Sequence, residues 1–219
     1  MPNFTDKSLN FSYLFKNFFS KWYFYVIAVS IIALIFLSLC LLRKREGRNN
    51  LTKTQKIVYT AILSAISFVV NSFTLPVSNV LSISFIATIG FIAGYVLGPG
   101  LGFTSAFIGD FLCAIIFPNG PYSPIINVGT ALWGYIPGLL FVLNKKREVF
   151  NLVVSFVLGF FLNSFCVNTV GLTLMYQIPF NTLLLALPIK LLVVVINFII
   201  SFGLLTVLKR VLPKTKFNV

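Results

Sequence analysis

From Trp22 to Leu42 the chain runs without a charged side chain, about 20 residues and so roughly what a helix needs to cross a ~30 Å hydrocarbon core. A stretch like this has few ways to fold. In lipid its backbone N–H and C=O groups must bond within the segment, which selects a helix. Six further apolar segments follow, at 57–72, 83–98, 100–117, 124–143, 150–176 and 181–208. Turn chemistry separates them: Pro76 with Asn79, Gly98-Pro99-Gly100, Pro118-Asn119-Gly120-Pro121, Asn144-Lys145-Lys146-Arg147 and Gln177-Ile178-Pro179. Only 10% of the 219 residues are charged, against about 25% in a soluble domain. The reading is an all-α integral membrane protein, a six-helix transmembrane core preceded by one additional N-terminal transmembrane helix. Its parts are a polar and aromatic segment at 1–21, the additional helix at 22–42, a basic cytoplasmic linker at 43–56, the six-helix membrane domain at 57–210 and a basic tail at 211–219.

The formal net charge of +13 raises the question of nucleic acid. The positions of the charges answer it. Arg43, Lys44, Arg45, Arg48, Lys53 and Lys56 form one cluster, Lys145, Lys146 and Arg147 a second, and Lys209, Arg210, Lys214 and Lys216 a third. Short basic loops between apolar runs are the positive-inside pattern of a membrane protein; a nucleic-acid binder would gather its cations on one folded face. With 43–56 inside, thirteen of the seventeen basic residues lie inside, and the loops at 73–82, 118–123 and 177–180 lie outside without Lys or Arg. No nucleic-acid partner is expected, and the bilayer is.

Two ionisable residues stand deep within core segments, Asp110 and Lys190. Charges at that depth are costly and mark a site or a pair. Either the two neutralise each other, or Lys190 meets an anionic ligand from the outside. Neutral polar residues gather in the outer half: Asn71, Asn119, Tyr122, Ser123, Asn127, Asn163, Asn168, Thr169 and Gln177. Small-molecule sites combine apolar and aromatic walls with a few convergent polar groups, and Trp133 and Tyr135 are candidates for the walls. The candidate substrate-binding set is Tyr122, Asn127, Trp133, Asn168, Thr169, Lys190 and Asp110. Ala61 and Ala65 in the first core segment, and Gly90, Gly94 and Gly98 in the second, have the small-xxx-small spacing that lets membrane helices approach closely.

Other functions are excluded by what the chain lacks. It has no histidine, the commonest general base and metal ligand, and no GxxxxGK[ST] sequence to hold a nucleotide. Cys40, Cys113 and Cys166 form no CxxC pair and read as buried apolar thiols. No enzyme, cofactor or metal site is expected. A self-sufficient secondary transporter would need coupling-ion sites and usually an internal repeat, and the chain has no clear repeat and one buried acid. A structural subunit without ligand would scatter the outer polar residues around the helices.

From Lys56 to Arg210 the chain resembles the substrate-binding (S) components of energy-coupling factor (ECF) vitamin transporters. The resemblance rests on Ala61-x-x-x-Ala65; on Gly98-Pro99-Gly100-Leu101-Gly102 followed by Gly109-Asp110; on Ile116-Phe-Pro-Asn-Gly-Pro-Tyr122 leading into Gly129-Thr-Ala-Leu-Trp-Gly134; and on Asn168-Thr169, Pro179-Phe180 and Leu187-Pro188-Ile189-Lys190. The last two are most similar to the folate-type branch, where a basic residue typically follows that Leu-Pro. The branch usually carries an arginine near the outer end of the first core helix, where this chain has Val70-Asn71-Ser72. The resemblance implies a six-helix subunit in a bacterial plasma membrane that binds a vitamin, folate or a related anionic pterin, from the extracellular side. It also implies docking through Ala61 and Ala65 onto a shared transmembrane T component that works with two cytoplasmic ATPases.

Overall fold

The structure, a computed structural model, describes residues 51–76, 82–117, 122–144, 147–169, 172 and 180–211, together with Val26, Val29, Ser30, Ile32, Ala33, Ile35 and Phe36. The segment 1–21, most of the linker, Asn119, Gln177 and the basic tail from 212 lie outside the described residues.

Helix α1 spans Lys53–Ser72. It begins inside the stretch read from sequence as linker because Thr52 and Gln55 form a capping box. Gln55 N donates to Thr52 Oγ1 at 3.3 Å, and Thr52 N donates to Gln55 Oε1 at 3.0 Å, which satisfies two otherwise orphaned N–H groups. A two-residue antiparallel pair, β1 (Leu75–Pro76) with β2 (Ser82–Ile83), then connects to α2 (Ile86–Leu97). Gly98 joins α2 to α3 (Pro99–Ile116) at φ 88° and ψ 179°, a backbone region essentially restricted to glycine. Pro99 then opens α3 at a position where a missing N–H costs nothing.

Helix α4 (Pro124–Leu143) starts similarly, with Pro124 in its first turn and the Ser123 hydroxyl accepting from Ile126 N at 3.4 Å. Helix α5 (Glu148–Gly159) runs into a π-helix at Phe160–Val167, and α6 spans Phe180–Val211. The single apolar segment read at 150–176 is therefore two helical forms in series, as far as Thr169.

Helices α2, α3 and α4 are pressed together at glycine. A Cβ on Gly94 would run into Gly134 O, and one on Gly134 would run into Gly102 O. In the Gly90–Gly94–Gly98 series, Gly98 has nothing within 4 Å of a Cβ and serves the turn, whereas Gly90 and Gly94 serve packing within the bundle. The three helices meet there at backbone distance, and almost all of α4 is buried. Helix α1 packs along α3, while α6 lies against α2, α5 and the π-helix. An aromatic cluster fills the centre, with Phe91 against Phe141 and Phe156 and Trp133 against Phe156 at a centroid distance of 5.5 Å. From the N-terminal apolar run, helical Ile35 packs with Leu132, Tyr135 and Ile136 of α4.

The outside of the bundle is apolar. Leu185, Leu192, Ile199 and Val207 of α6 are exposed, which suits lipid rather than water. Among the described residues, Pro99–Ile116, Pro124–Leu143 and Thr182–Leu208 are long and apolar enough to cross a membrane, and Ile86–Leu97 and Glu148–Ser164 are shorter apolar helices.

Candidate functional site

The polar groups converge at one end of the bundle, the end that the charge pattern assigns to the outside. Asn71 Nδ2, in the last turn of α1, donates to Asp110 Oδ1 on α3 at 2.6 Å. Thr74 Oγ1 donates to Asn71 Oδ1 at 3.1 Å and to Asn71 O at 2.6 Å. The first of these bonds fixes the amide with its nitrogen toward the carboxylate. The hydroxyl of Thr130 on α4 lies near Asp110 and donates to Ile126 O at 3.1 Å. One turn nearer the end of the same helix, Asn127 Nδ2 donates to Tyr122 Oη at 3.0 Å, and the Tyr122 ring meets Phe111 edge-on. Asp110, Tyr122 and Asn127, three of the residues singled out from sequence, therefore share one cluster, joined by Asn71, Thr74 and Thr130.

Three atoms of the candidate set are buried without a hydrogen-bond partner among the described residues: Asn127 Oδ1, Asn168 Oδ1 and Lys190 Nζ. Buried polar groups in a folded protein are normally paired, so each unpaired one needs an explanation. The Lys190 ammonium is not the counter-ion of Asp110, whose carboxylate accepts from the neutral Asn71 amide. Helix geometry indicates where Lys190 points. Asn197 lies seven residues on, about two turns and roughly 10 Å further along the same face. Asn197 is buried against α2: its Oδ1 accepts from Thr88 Oγ1 at 2.8 Å, and its Nδ2 donates to Ser84 O at 3.0 Å. Lys190 thus leaves α6 on the side facing α2, nearer the outer end than this anchor.

Asn168 and Thr169 follow directly on the π-helix. The Asn168 N–H bonds to Asn163 O, and Thr169 Oγ1 donates to Ser164 O at 3.2 Å, both spanning five residues. The wider π turn therefore sets where these two side chains leave the helix. With its amide nitrogen toward Gly129 O at 3.1 Å, Asn163 presents its oxygen to Trp133 Nε1.

The structure does not bring Trp133 to the polar cluster. It is 4% exposed, its ring fills the space left by Gly159, and it belongs to the aromatic core. Tyr135 is buried beside Ile35, Leu132 and Ile136. Asn71, Thr74 and Thr130 complete the surroundings of Asp110. Of these, Thr74 and Thr130 are absent from the sequence-derived polar group, and no motif marks either one.

Ala61 and Ala65 stand beside the packed face of α1, on its exposed flank. Both are exposed, flanked by exposed Ile57, Val58, Ile62, Ile66 and Val69, whereas Ser64 and Ser67 are buried toward α3.

The family described as ECF transporter, substrate-specific component, matches residues 55–210. The chain belongs to that family. It is accordingly a transport protein that binds a substrate, and not an enzyme. A crystal structure of FolT bound with folic acid is similar in fold, with a TM-score of 0.60 and 23% sequence identity, covering 74% of this chain and 95% of that one. Comparison with curated protein sequences gives no match. In this ECF component the matched region starts two residues after the start of α1 and ends within α6. The six-helix bundle is the family's unit, and the N-terminal apolar run stands before it.

Proposed function

We infer that this ECF component is the vitamin-binding subunit of an ATP-driven importer in a bacterial plasma membrane, with folate or a related anionic pterin as its ligand. The observation that carries this reading is the Lys190 ammonium, shielded and without a partner among the described residues, in the outer half of α6. A cation at such depth costs at least ~2.5 kcal/mol on insertion scales, and a ligand carboxylate supplies the charge that offsets it. The FolT structure of similar fold was crystallised with folic acid, a ligand of that charge. Asn168 Oδ1 and Asn127 Oδ1 add acceptors for the ligand's donors.

ATP-driven import needs partners, because this sequence carries no P-loop. The exposed Ala61 and Ala65 on α1 offer a helix of the T component a close approach, and two cytoplasmic ATPase subunits complete the importer. The test is mass spectrometry of small molecules that co-purify with the detergent-solubilised protein, followed by titration with folic acid. Recovery of a folate with saturable binding supports the reading. A protein that neither retains nor binds any folate overturns it.

A further inference from the structure

Asn197 carries a side chain for which apolar packing gives no account. An amide offers two N–H donors and two acceptor positions, and here all four are used. Its Oδ1 accepts from Thr88 Oγ1 at 2.8 Å and from Thr88 N at 3.3 Å. Its Nδ2 donates to Ser84 O at 3.0 Å and to Val193 O at 2.9 Å. Two carbonyls on one side and an N–H on the other leave the amide one orientation. The residue is 1% exposed, where an apolar side chain would avoid the cost of burying a polar group. Fully satisfied buried networks of this kind rigidify the elements that they join.

Among the described residues of α6, Asn197 is the one whose side chain hydrogen-bonds another element. It ties α6 to Ser84, directly after β2, and to Thr88, in the first turn of α2. Lys190 stands on the same face, roughly 10 Å nearer the outer end. The two turns between them are unbroken helix. On the other side of Lys190 lies Pro188, which lacks an N–H and so takes one i→i−4 bond out of the helix. The position of Lys190 is therefore set from the inner side, by Asn197, rather than from the outer end of α6.

Resting on the reading of Lys190 as the partner of a ligand carboxylate, we propose that Asn197 is a positioning residue for that contact. Its clamp on Ser84 and Thr88 fixes the rotation and height of α6, so that the Lys190 ammonium stands ready before the ligand arrives. Asn197 acts through Lys190 and does not touch the ligand. Precision matters because a charge-assisted N–H···O bond needs a separation of about 2.7–2.9 Å, and supporting residues must hold such a group to within about 0.5 Å. On an α6 free to turn, the ammonium would reach for the outer interface instead, as long cationic side chains do.

The test compares folic acid with its diamide, in which both carboxyl groups are carboxamides, on the wild type, Asn197→Leu, Thr88→Val, Lys190→Met and Thr88→Val with Lys190→Met. Thr88→Val removes the hydroxyl that bonds Asn197 Oδ1 and leaves α6 untouched, so it carries the decision if Asn197→Leu does not fold. The wild type is expected to bind folic acid about tenfold or more tighter than the diamide, the range for a hydrogen bond to a charged group. In Asn197→Leu and Thr88→Val that preference should shrink to about threefold or less, with diamide affinity within about twofold of the wild type. In the Lys190→Met background, Thr88→Val should change nothing further. A purely structural anchor would weaken both ligands alike, and that result overturns the proposal. So does a tenfold preference that survives in Thr88→Val, or an effect of Thr88→Val that persists without Lys190; each leaves the vitamin-binding reading intact. A wild type that binds both ligands equally removes the carboxylate contact of Lys190, and one that binds neither removes the folate reading itself; this proposal falls with either.

Discussion

Asn71 and Asp110 are bonded side chain to side chain at 2.6 Å across the α1–α3 interface, although 39 residues separate them. The bond links the last turn of α1 to the second half of α3. It gives a carboxylate within the bundle a donor that carries no charge. Removing that donor takes away the hydrogen bond that Asp110 accepts from α1. Asn71→Ala should therefore lower the stability of the ligand-free protein by about 1.5–3 kcal/mol, the scale for a hydrogen bond to a charged group. Thermal unfolding in detergent measures this, and an unchanged Tm would remove the bond from the account of stability.

The glycine crossing makes a sharper prediction because it involves backbone, which cannot swing aside. Gly94→Ala would drive a methyl group into Gly134 O, with Gly138 N at 2.9 Å. The expected cost is about 1–3 kcal/mol or more, seen as a lower Tm and poorer yield of folded protein. Gly203→Ala is the internal control. Nothing stands within 4 Å of a Cβ there, so the same chemical change should leave the Tm unchanged or slightly higher.

These two features also mark what the sequence made legible. The helices could be read because each carries an apolar run bounded by Pro, Gly or Asn, and lipid requires helix for such runs. The early start of α1 was legible in principle, since Thr52 and Gln55 have the spacing of a capping box. The π-helix was not. A wider turn depends on tertiary packing, here Trp133 against Gly159 and Asn163, rather than on any local pattern. The packing of Trp133 against Gly159 and Phe156 was not legible, because an aromatic residue in a wholly apolar helix looks the same whether it lines a site or fills a core. Asp110 and Lys190 were visible as buried charges, but their independence of each other follows only from where α3 and α6 lie. The anchor at Asn197 gave one faint signal, a lone amide in the apolar run from Leu191 to Leu205.

Docking can be separated from binding on α1. Ala61 and Ala65 are exposed, and the face of α1 that packs on α3 carries Ser64 and Ser67 instead. Ala61→Trp together with Ala65→Trp should leave folding and ligand affinity unchanged while abolishing uptake in cells that express the T component and ATPases. Normal uptake by the double variant would exclude this face as the docking surface.

The orientation of the bundle is testable with thiol reagents. Phe73 is 76% exposed just past the outer end of α1, and Asn144 closes α4 at the opposite end. In a background without the three native cysteines, Phe73→Cys should react with a membrane-impermeant maleimide added to intact cells, and Asn144→Cys should not. The reverse pattern would move the polar cluster to the cytoplasmic side.

Lys190 decides between binding and structure. Its ammonium has no partner among the described residues, so replacing it breaks none of their bonds and relieves the penalty of a shielded charge. Lys190→Met should therefore keep or raise the Tm of the ligand-free protein. If a ligand carboxylate is its partner, the same change should weaken folic acid binding roughly tenfold to more than a hundredfold. The double variant with Asp110→Asn tests the competing pairing. Asp110 is already bonded to Asn71, so Asp110→Asn should not rescue any property lost in Lys190→Met. Melting temperature and affinity on both single variants and the double one provide the comparison. A single variant that melts earlier, is restored by Asp110→Asn and binds folic acid normally would make the two charges a structural pair. It would also remove Lys190 from the binding site.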